Sequence, residues 1–128
     1  MPRFTPGELQ VMRLLWEHGE MKPSEIHRLY HEPIKNPALR SYLTILCEKG
    51  HIRRRKAGKA YYYEAVTRRQ SALRETLREL VDNYCSGSTQ ALLLNLIRSE
   101  KLSEEQLLEL KRLSDERRSG RATPKECR

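Results

Sequence analysis

The sequence has 128 residues, with 25 lysines and arginines against 17 aspartates and glutamates, and a formal net charge of +8. A chain of this length forms one domain or two small ones, which excludes a large enzyme. No apolar run approaches membrane-spanning length and the first ten residues lack the apolar core of a signal peptide, so we expect a cytoplasmic protein without membrane insertion. Cys47, Cys85 and Cys127 form no Cys-X-X-Cys pair, which indicates a reducing compartment and argues against a zinc site or a disulfide framework.

The basic excess lies in the N-terminal part of the chain. Residues 1–66 hold 12 basic and 7 acidic side chains, whereas residues 67–119 hold 10 and 9. Within the first part, five basic residues fall in seven positions: Arg53, Arg54, Arg55, Lys56 and Lys59. This density indicates a polyanionic partner more than an ordinary solvated surface.

Two helices are predicted at the N-terminus. Thr5 can cap the first helix and Glu8 completes a capping box, so this helix is expected to run to about His18. A second, shorter helix is expected from Ser24 to about His31, ahead of a proline that cannot continue it.

A third helix and a hairpin follow. Asn36 is predicted as the N-cap of the helix, which carries leucines 39, 43 and 46 on one face. The hydrophobic period then changes from 3.6 to 2, and residues 52–56 and 60–66 are predicted as two strands around Gly58. Three helices followed by a basic hairpin is the order of a winged helix-turn-helix, in which the third helix enters the major groove of DNA.

The remaining sequence is leucine-rich and predicts three more helices within residues 67–119. The middle helix is apolar on nearly all sides, and so small a region cannot bury that much leucine alone. We therefore expect a second copy of the chain to complete the core. The residues predicted to form this homodimer contact are Leu77, Leu80, Leu92, Leu93, Leu96, Leu107, Leu110 and Leu113.

The predicted fold is thus mainly α with a small β-hairpin. Residues 1–66 form a winged helix-turn-helix that binds DNA, residues 67–119 form a three-helix dimerisation region, and residues 120–128 form a disordered tail.

The predicted DNA contacts lie on the third helix and on the hairpin. Arginine can read guanine with two hydrogen bonds, serine and threonine can reach base edges or phosphates, and alanine can contact the thymine methyl group. The predicted set is Ala38, Arg40, Ser41 and Thr44 on the helix, with Arg53, Arg55 and Lys59 on the hairpin. The simpler alternative, a solvated helix face, becomes less attractive because the basic hairpin follows directly.

Two other classes of function remain open at this point. A winged helix can instead bind RNA or protein, and a test of sequence-selective binding to duplex DNA distinguishes this alternative from a DNA-binding protein. A small metal- or cysteine-dependent enzyme would use the His27 and His31 pair or Cys85, and metal analysis separates it. The sequence contains no catalytic motif, so no catalytic residue, metal ligand or cofactor is predicted.

The pattern resembles the penicillinase repressor family (BlaI/MecI/CopY). The resemblance is carried by Leu-Leu-Trp at 14–16, Ser-Glu-Ile at 24–26, Glu-Lys-Gly at 48–50 and, most specifically, Gly-Lys-Ala-Tyr-Tyr-Tyr at 58–63. It implies a homodimeric repressor that occupies a palindromic operator in double-stranded DNA. It also implies control by a membrane-bound sensor protease, with cleavage at a position that corresponds to Asn95 and Leu96 in this chain.

The chain departs from the family pattern in several respects. Pro37 and Ala38 replace the hydroxyl residues usual at the start of the recognition helix, which implies a different operator. Leu96 replaces the usual aromatic residue after Asn95. Only Cys127 lies near the C-terminus, which excludes the copper-sensing branch by its number of ligands.

Overall fold

The computed structural model describes residues 4–118, which form six helices and one antiparallel hairpin and confirm the mainly helical fold. The elements are α1 (Pro6–His18), α2 (Pro23–Leu29), α3 (Asn36–Glu48), β1 (Ile52–Ala57), β2 (Ala60–Ala65), α4 (Arg69–Tyr84), α5 (Thr89–Ser99) and α6 (Glu104–Arg118). Within this part of the chain, no helix is long and apolar enough to span a membrane.

The chain divides into two compact units, and the boundary lies between Thr76 and Leu77, inside α4. The first unit contains α1, α2, α3 and the hairpin, which is the winged helix. The second contains the end of α4 with α5 and α6. A functional boundary near residue 66 stays a prediction, and the tail at 120–128 lies outside the described residues.

The start of α1 is the capping box that the sequence predicts. The Thr5 hydroxyl accepts a hydrogen bond from the Glu8 amide, and the Glu8 carboxylate accepts one from the Thr5 amide, both at 3.2 Å. The helix ends at Gly19, whose φ of 81° suits a residue without a β-carbon. Helix α2 runs from Pro23 to Leu29, one residue earlier at its start and two residues shorter at its end than predicted.

The prediction that Asn36 caps α3 is wrong by one position. The carbonyl of Lys35 accepts the hydrogen bond from the Leu39 amide at 3.1 Å, so Lys35 is the N-cap and Asn36 is the first helical residue. Pro37 is tolerated in this first turn because its missing N–H has no partner there in any α-helix. Helix α3 also approaches α1 closely, and a β-carbon at Gly7 would collide with the ring of Tyr42.

The core of the winged helix joins all three helices to the hairpin. Its members are less than one tenth exposed: Val11, Met12, Leu15, Met21, Ile26, Leu39, Leu43, Leu46, Ile52 and Tyr63. The hairpin is anchored further by an isolated bridge in which the backbones of Met21 and Tyr63 exchange hydrogen bonds of 2.8 and 2.9 Å. The core therefore holds the base of the hairpin against the helices.

The break between α4 and α5 lies at residues 86–88, as predicted. Ser86 and Gly87 have positive φ angles of 51° and 82°, and the Gly87 amide donates to the Val81 carbonyl at 2.9 Å. The Ser88 hydroxyl then accepts from the Ala91 amide at 3.0 Å and caps α5. Two separate helices result, where an uninterrupted leucine pattern would have formed one.

Candidate nucleic-acid interface

Helix α3 presents a polar side to solvent. Leu39, Leu43 and Leu46 are buried, each at 3% exposure or less, and they fix the helix on the core. Because of the helical period, Arg40, Ser41 and Thr44 point away from the leucines. All four predicted contact residues of this helix are exposed: Ala38, Arg40, Ser41 and Thr44. The helix thus offers one guanidinium, two hydroxyls and a methyl group on an accessible face.

The hairpin, which we call the wing (residues 52–65), also directs its side chains to two sides. The register pairs Arg53 with Glu64, Arg54 with Tyr63 and Lys56 with Tyr61. Successive side chains of a strand point to opposite faces, so the basic run of β1 is divided between the two faces. Two residues of that run, Arg53 and Arg55, share one face, and the other two share the opposite face with buried Ile52.

We call the side of the wing that carries Arg53 and Arg55 the paired face, because both arginines bind carboxylates there, Glu64 and Glu20. The Arg53 guanidinium donates to the Glu64 carboxylate at 2.6 Å. The Arg55 guanidinium donates two hydrogen bonds to the Glu20 carboxylate at 2.7 and 2.8 Å. These hydrogen bonds from Arg55 hold the pKa of Glu20 below its ordinary value. Two of the predicted DNA contacts are therefore occupied by carboxylates of this chain.

The opposite side, the tyrosine face, consists of Arg54, Lys56, Tyr61 and Tyr63. The Arg54 guanidinium lies 4.3 Å from the centroid of the Tyr61 ring, and the Lys56 ammonium lies 5.8 Å from it. Its interaction with the Tyr63 side chain raises the pKa of Arg54. No carboxylate among the described residues pairs with Arg54 or Lys56.

The tip of the wing is a two-residue turn. Gly58 adopts a φ of 65°, and Lys59 beside it is exposed. Lys59 forms no ion pair with a carboxylate among residues 4–118. Its ammonium is therefore available to an external anion.

The histidines and cysteines form no metal site in the part of the chain that the structure describes, since no three potential ligands cluster there. His27 Nε2 lies 2.6 Å from the Ile34 carbonyl oxygen and is used within the fold. Burial raises the pKa of the half-buried Cys47 thiol, which makes it less reactive. Cys85 is half-buried at the end of α4.

The C-terminal helices leave their leucines uncovered in the single chain. No residue of α5 is buried, although six of its eleven residues are apolar. Seven of the eight predicted dimer residues are exposed and Leu92 is half-buried. A helix that is apolar on this scale and faces water lacks the partner surface that would cover it.

One site residue had no signal in the sequence. Glu20 follows the glycine that ends α1, and nothing in its neighbourhood indicates that it holds Arg55, which is 35 positions away. Glu20 precedes Met21 in the chain, and the bridge between Met21 and Tyr63 brings Glu20 beside the wing.

Comparison with known proteins covers nearly the whole chain. The family model described as penicillinase repressor matches residues 4–116. The chain is 22% identical over 121 residues to a penicillinase repressor of Bacillus licheniformis, across 93% of this chain and 94% of that protein. It is 23% identical over 112 residues to the methicillin resistance regulatory protein MecI of Staphylococcus aureus (strain N315), across 86% and 91%. Among solved structures, the YusO protein from Bacillus subtilis has a TM-score of 0.50 at 20% identity, with 90% of this chain and 74% of that chain covered.

Proposed function

The chain belongs to the penicillinase repressor family, and from this premise we propose that it is a homodimeric transcriptional repressor that occupies a palindromic operator in the cytoplasm. The family and the winged-helix fold identify the chain as a DNA-binding transcriptional repressor. Repression then results from occupying the operator and excluding RNA polymerase.

The observation that carries the proposal is the exposed side of α3 next to a basic wing. Arg40, Ser41 and Thr44 are accessible on a helix that three buried leucines attach to the core. Such side chains on a helix read the base sequence of DNA in the major groove. Basic residues around the helix contact phosphates and set the orientation of the protein on the duplex. The similarity to a penicillinase repressor of Bacillus licheniformis supports this assignment.

The homodimer is supported by the uncovered leucines of the second unit. Leu93 and Leu96 on α5 are 50% and 45% exposed, and Leu107, Leu110 and Leu113 on α6 are each more than 40% exposed. Apolar side chains of this number bury against a complementary surface, and a second copy supplies the same leucines by two-fold symmetry.

A symmetric dimer predicts the form of the operator. Two identical recognition helices related by a two-fold axis read two inverted half-sites. The half-sites are then centred about 34–36 Å apart, or at a multiple of that spacing. The two weak contacts together provide the useful affinity, because binding of the second half-site is intramolecular once the first is bound.

The test is selection from a pool of random DNA duplexes with the full-length protein, followed by sedimentation of the protein alone. We expect an enriched inverted repeat and a dimer. Enrichment of no sequence, together with tight binding to structured RNA, would favour the RNA-binding alternative. Stoichiometric metal in the purified protein would reopen the small-enzyme alternative.

Release from DNA is proposed to follow proteolysis at or near the bond between Asn95 and Leu96, which a membrane-bound sensor protease would initiate. The bond lies within α5, and the Asn95 carbonyl accepts a hydrogen bond from the Ser99 hydroxyl at 2.8 Å. The helix must therefore open locally before a protease can act. A cut there separates Leu107, Leu110 and Leu113 from the winged helix and weakens the dimer.

This mechanism is tested by treating the host with a cell-wall antibiotic and following the protein by immunoblot. We expect a shortened fragment to accumulate as the target genes are expressed. Full-length protein that persists while those genes are expressed would contradict proteolysis and would favour a bound effector.

A further inference from the structure

The two faces of the wing differ in the charge that they offer to a partner. On the paired face, Glu20 and Glu64 neutralise Arg55 and Arg53. On the tyrosine face, Arg54 and Lys56 keep two positive charges above the ring of Tyr61. A sequence that reads as one basic run is thus electrically neutral on one side and cationic on the other.

We propose that the wing contacts the DNA phosphate backbone with its tyrosine face, through Arg54 and Lys56, and that Arg53 and Arg55 hold the wing in place instead. The inference rests on the DNA binding of the proposed function. It replaces the predicted contacts Arg53 and Arg55 by residues on the opposite face and keeps the predicted contact of Lys59.

The ion pairs make the paired face a poor phosphate site. The Arg55 guanidinium binds Glu20 through Nε and Nη2, so a phosphate reaches only its remaining N–H groups and lies beside the Glu20 carboxylate. Arg53 donates through Nε to Glu64, so a phosphate at its remaining N–H groups likewise lies beside a carboxylate. A carboxylate repels a neighbouring phosphate, so binding on this face gains little attraction.

The tyrosine face, by contrast, carries two cations that no carboxylate of the described residues neutralises. The Tyr61 ring attracts the Arg54 guanidinium without neutralising its charge, whereas Arg55, which lies 5.1 Å from the centroid of the Tyr62 ring, is also bound by the Glu20 carboxylate. Arg54 is exposed, and its guanidinium lies 4.3 Å from the centroid of the Tyr61 ring. Part of the conformational entropy that a long side chain loses on binding is therefore already lost in the free protein.

The position of Arg54 also suits this role. Strand β1 packs against α3, and the charge of Arg54 acts on the thiol of Cys47 in the last turn of that helix. Arg54 thus lies beside the helix whose outer side carries Arg40 and Thr44. A duplex that receives α3 in its major groove brings its adjacent backbone to this side of the wing.

The experiment compares two neighbouring arginines of β1 in the full-length protein. Arg54→Gln and Arg53→Gln each remove one positive charge from an exposed residue, so their effects on the net charge are equal. Binding to a mixed-sequence duplex of about 30 base pairs is measured across a salt series, since each phosphate contact contributes about 0.9 to the slope of log K against log salt. We expect Arg54→Gln to lower the slope by about 0.9 for each bound wing, and Arg53→Gln to lower it by less than half of that.

Further variants separate a phosphate contact from a structural role. Arg54→Lys keeps the charge and is expected to retain the slope of the unmodified protein. If circular dichroism shows that Arg54→Gln does not fold, Lys56→Gln compared with Arg55→Gln provides the same contrast. Equal slopes for Arg53→Gln and Arg54→Gln, or a larger loss for Arg53→Gln, would overturn the inference while DNA binding stands. Failure of the unmodified protein to bind the duplex would overturn the proposed function as well.

Discussion

The indole nitrogen of Trp16 donates a 2.8 Å hydrogen bond to the backbone carbonyl of Thr67, which is 51 residues further along the chain. The bond joins the end of α1 to the segment that leaves the wing. The Arg69 guanidinium lies 5.7 Å from the centroid of the same ring. The half-buried indole thereby fixes the position where the chain passes from the wing to α4.

Trp16→Phe tests this connection. The variant keeps an aromatic ring and leaves the Thr67 carbonyl without its indole donor, so we expect the free energy of unfolding to fall by about 1–3 kcal/mol. Chemical denaturation at fixed protein concentration measures it, because the stability of a dimer depends on concentration. Tyr62→Phe, which removes a hydroxyl without a hydrogen bond among the described residues, serves as the control. Equal losses in both variants would contradict the role of the hydrogen bond.

Arg40→Ala should weaken operator binding and relax the choice of base at one position in each half-site. A guanidinium that makes two hydrogen bonds to guanine discriminates by about 1–3 kcal/mol. Repeating the duplex selection with the variant measures the change. An unaltered base preference would show that Arg40 does not read the operator.

Lys59→Ala should weaken binding to all sequences alike, because an ammonium at the tip of the wing contacts phosphate and no base. The slope of log K against log salt should fall by about one. Titrations with the selected operator and with a scrambled duplex measure both effects. A change in base preference would mean that the tip enters a groove.

Leu93→Asp should convert the dimer to monomers. Leu93 is half exposed in the single chain and lies on α5, so the proposed interface buries it, and a buried unpaired carboxylate is strongly unfavourable. Sedimentation measures the change. Gln90→Asp adds the same charge at an exposed polar position of the same helix and is expected to leave the dimer intact.

The Glu20–Arg55 ion pair should make stability depend on pH in the acid range. The hydrogen bonds from Arg55 lower the pKa of Glu20 below its ordinary value of 4.5. A carboxyl group whose pKa falls on folding stabilises the folded state above its unfolded pKa, and this contribution disappears as the pH falls through the lower folded pKa. Denaturation at several pH values below neutrality should therefore give a flatter profile for Glu20→Gln.

The control for this prediction is Glu48→Gln. Glu48 is exposed and forms no ion pair in the described part of the chain, so its profile should follow that of the unmodified protein. If the profiles of Glu20→Gln and the unmodified protein coincide, the ion pair does not contribute to stability in solution.

The local signals of the sequence were sufficient for the elements themselves. The capping box of Thr5 and Glu8 and the break at 86–88 depend on residues a few positions apart, and the structure contains both. The error at Asn36 has the same origin, because a cap is defined by which carbonyl accepts the first hydrogen bond, and two adjacent residues can compete for that role.

The sequence by itself therefore determined the order of helices and strands and the two faces of the wing, since the periods of 3.6 and 2 follow from backbone geometry. Tertiary structure alone decided which of those faces is neutral. Glu20 reaches Arg55 across 35 positions because the bridge of Met21 with Tyr63 brings the end of α1 beside the wing. A pattern of charges along the chain records how many cations a strand carries, but their carboxylate partners are set by contacts between distant segments.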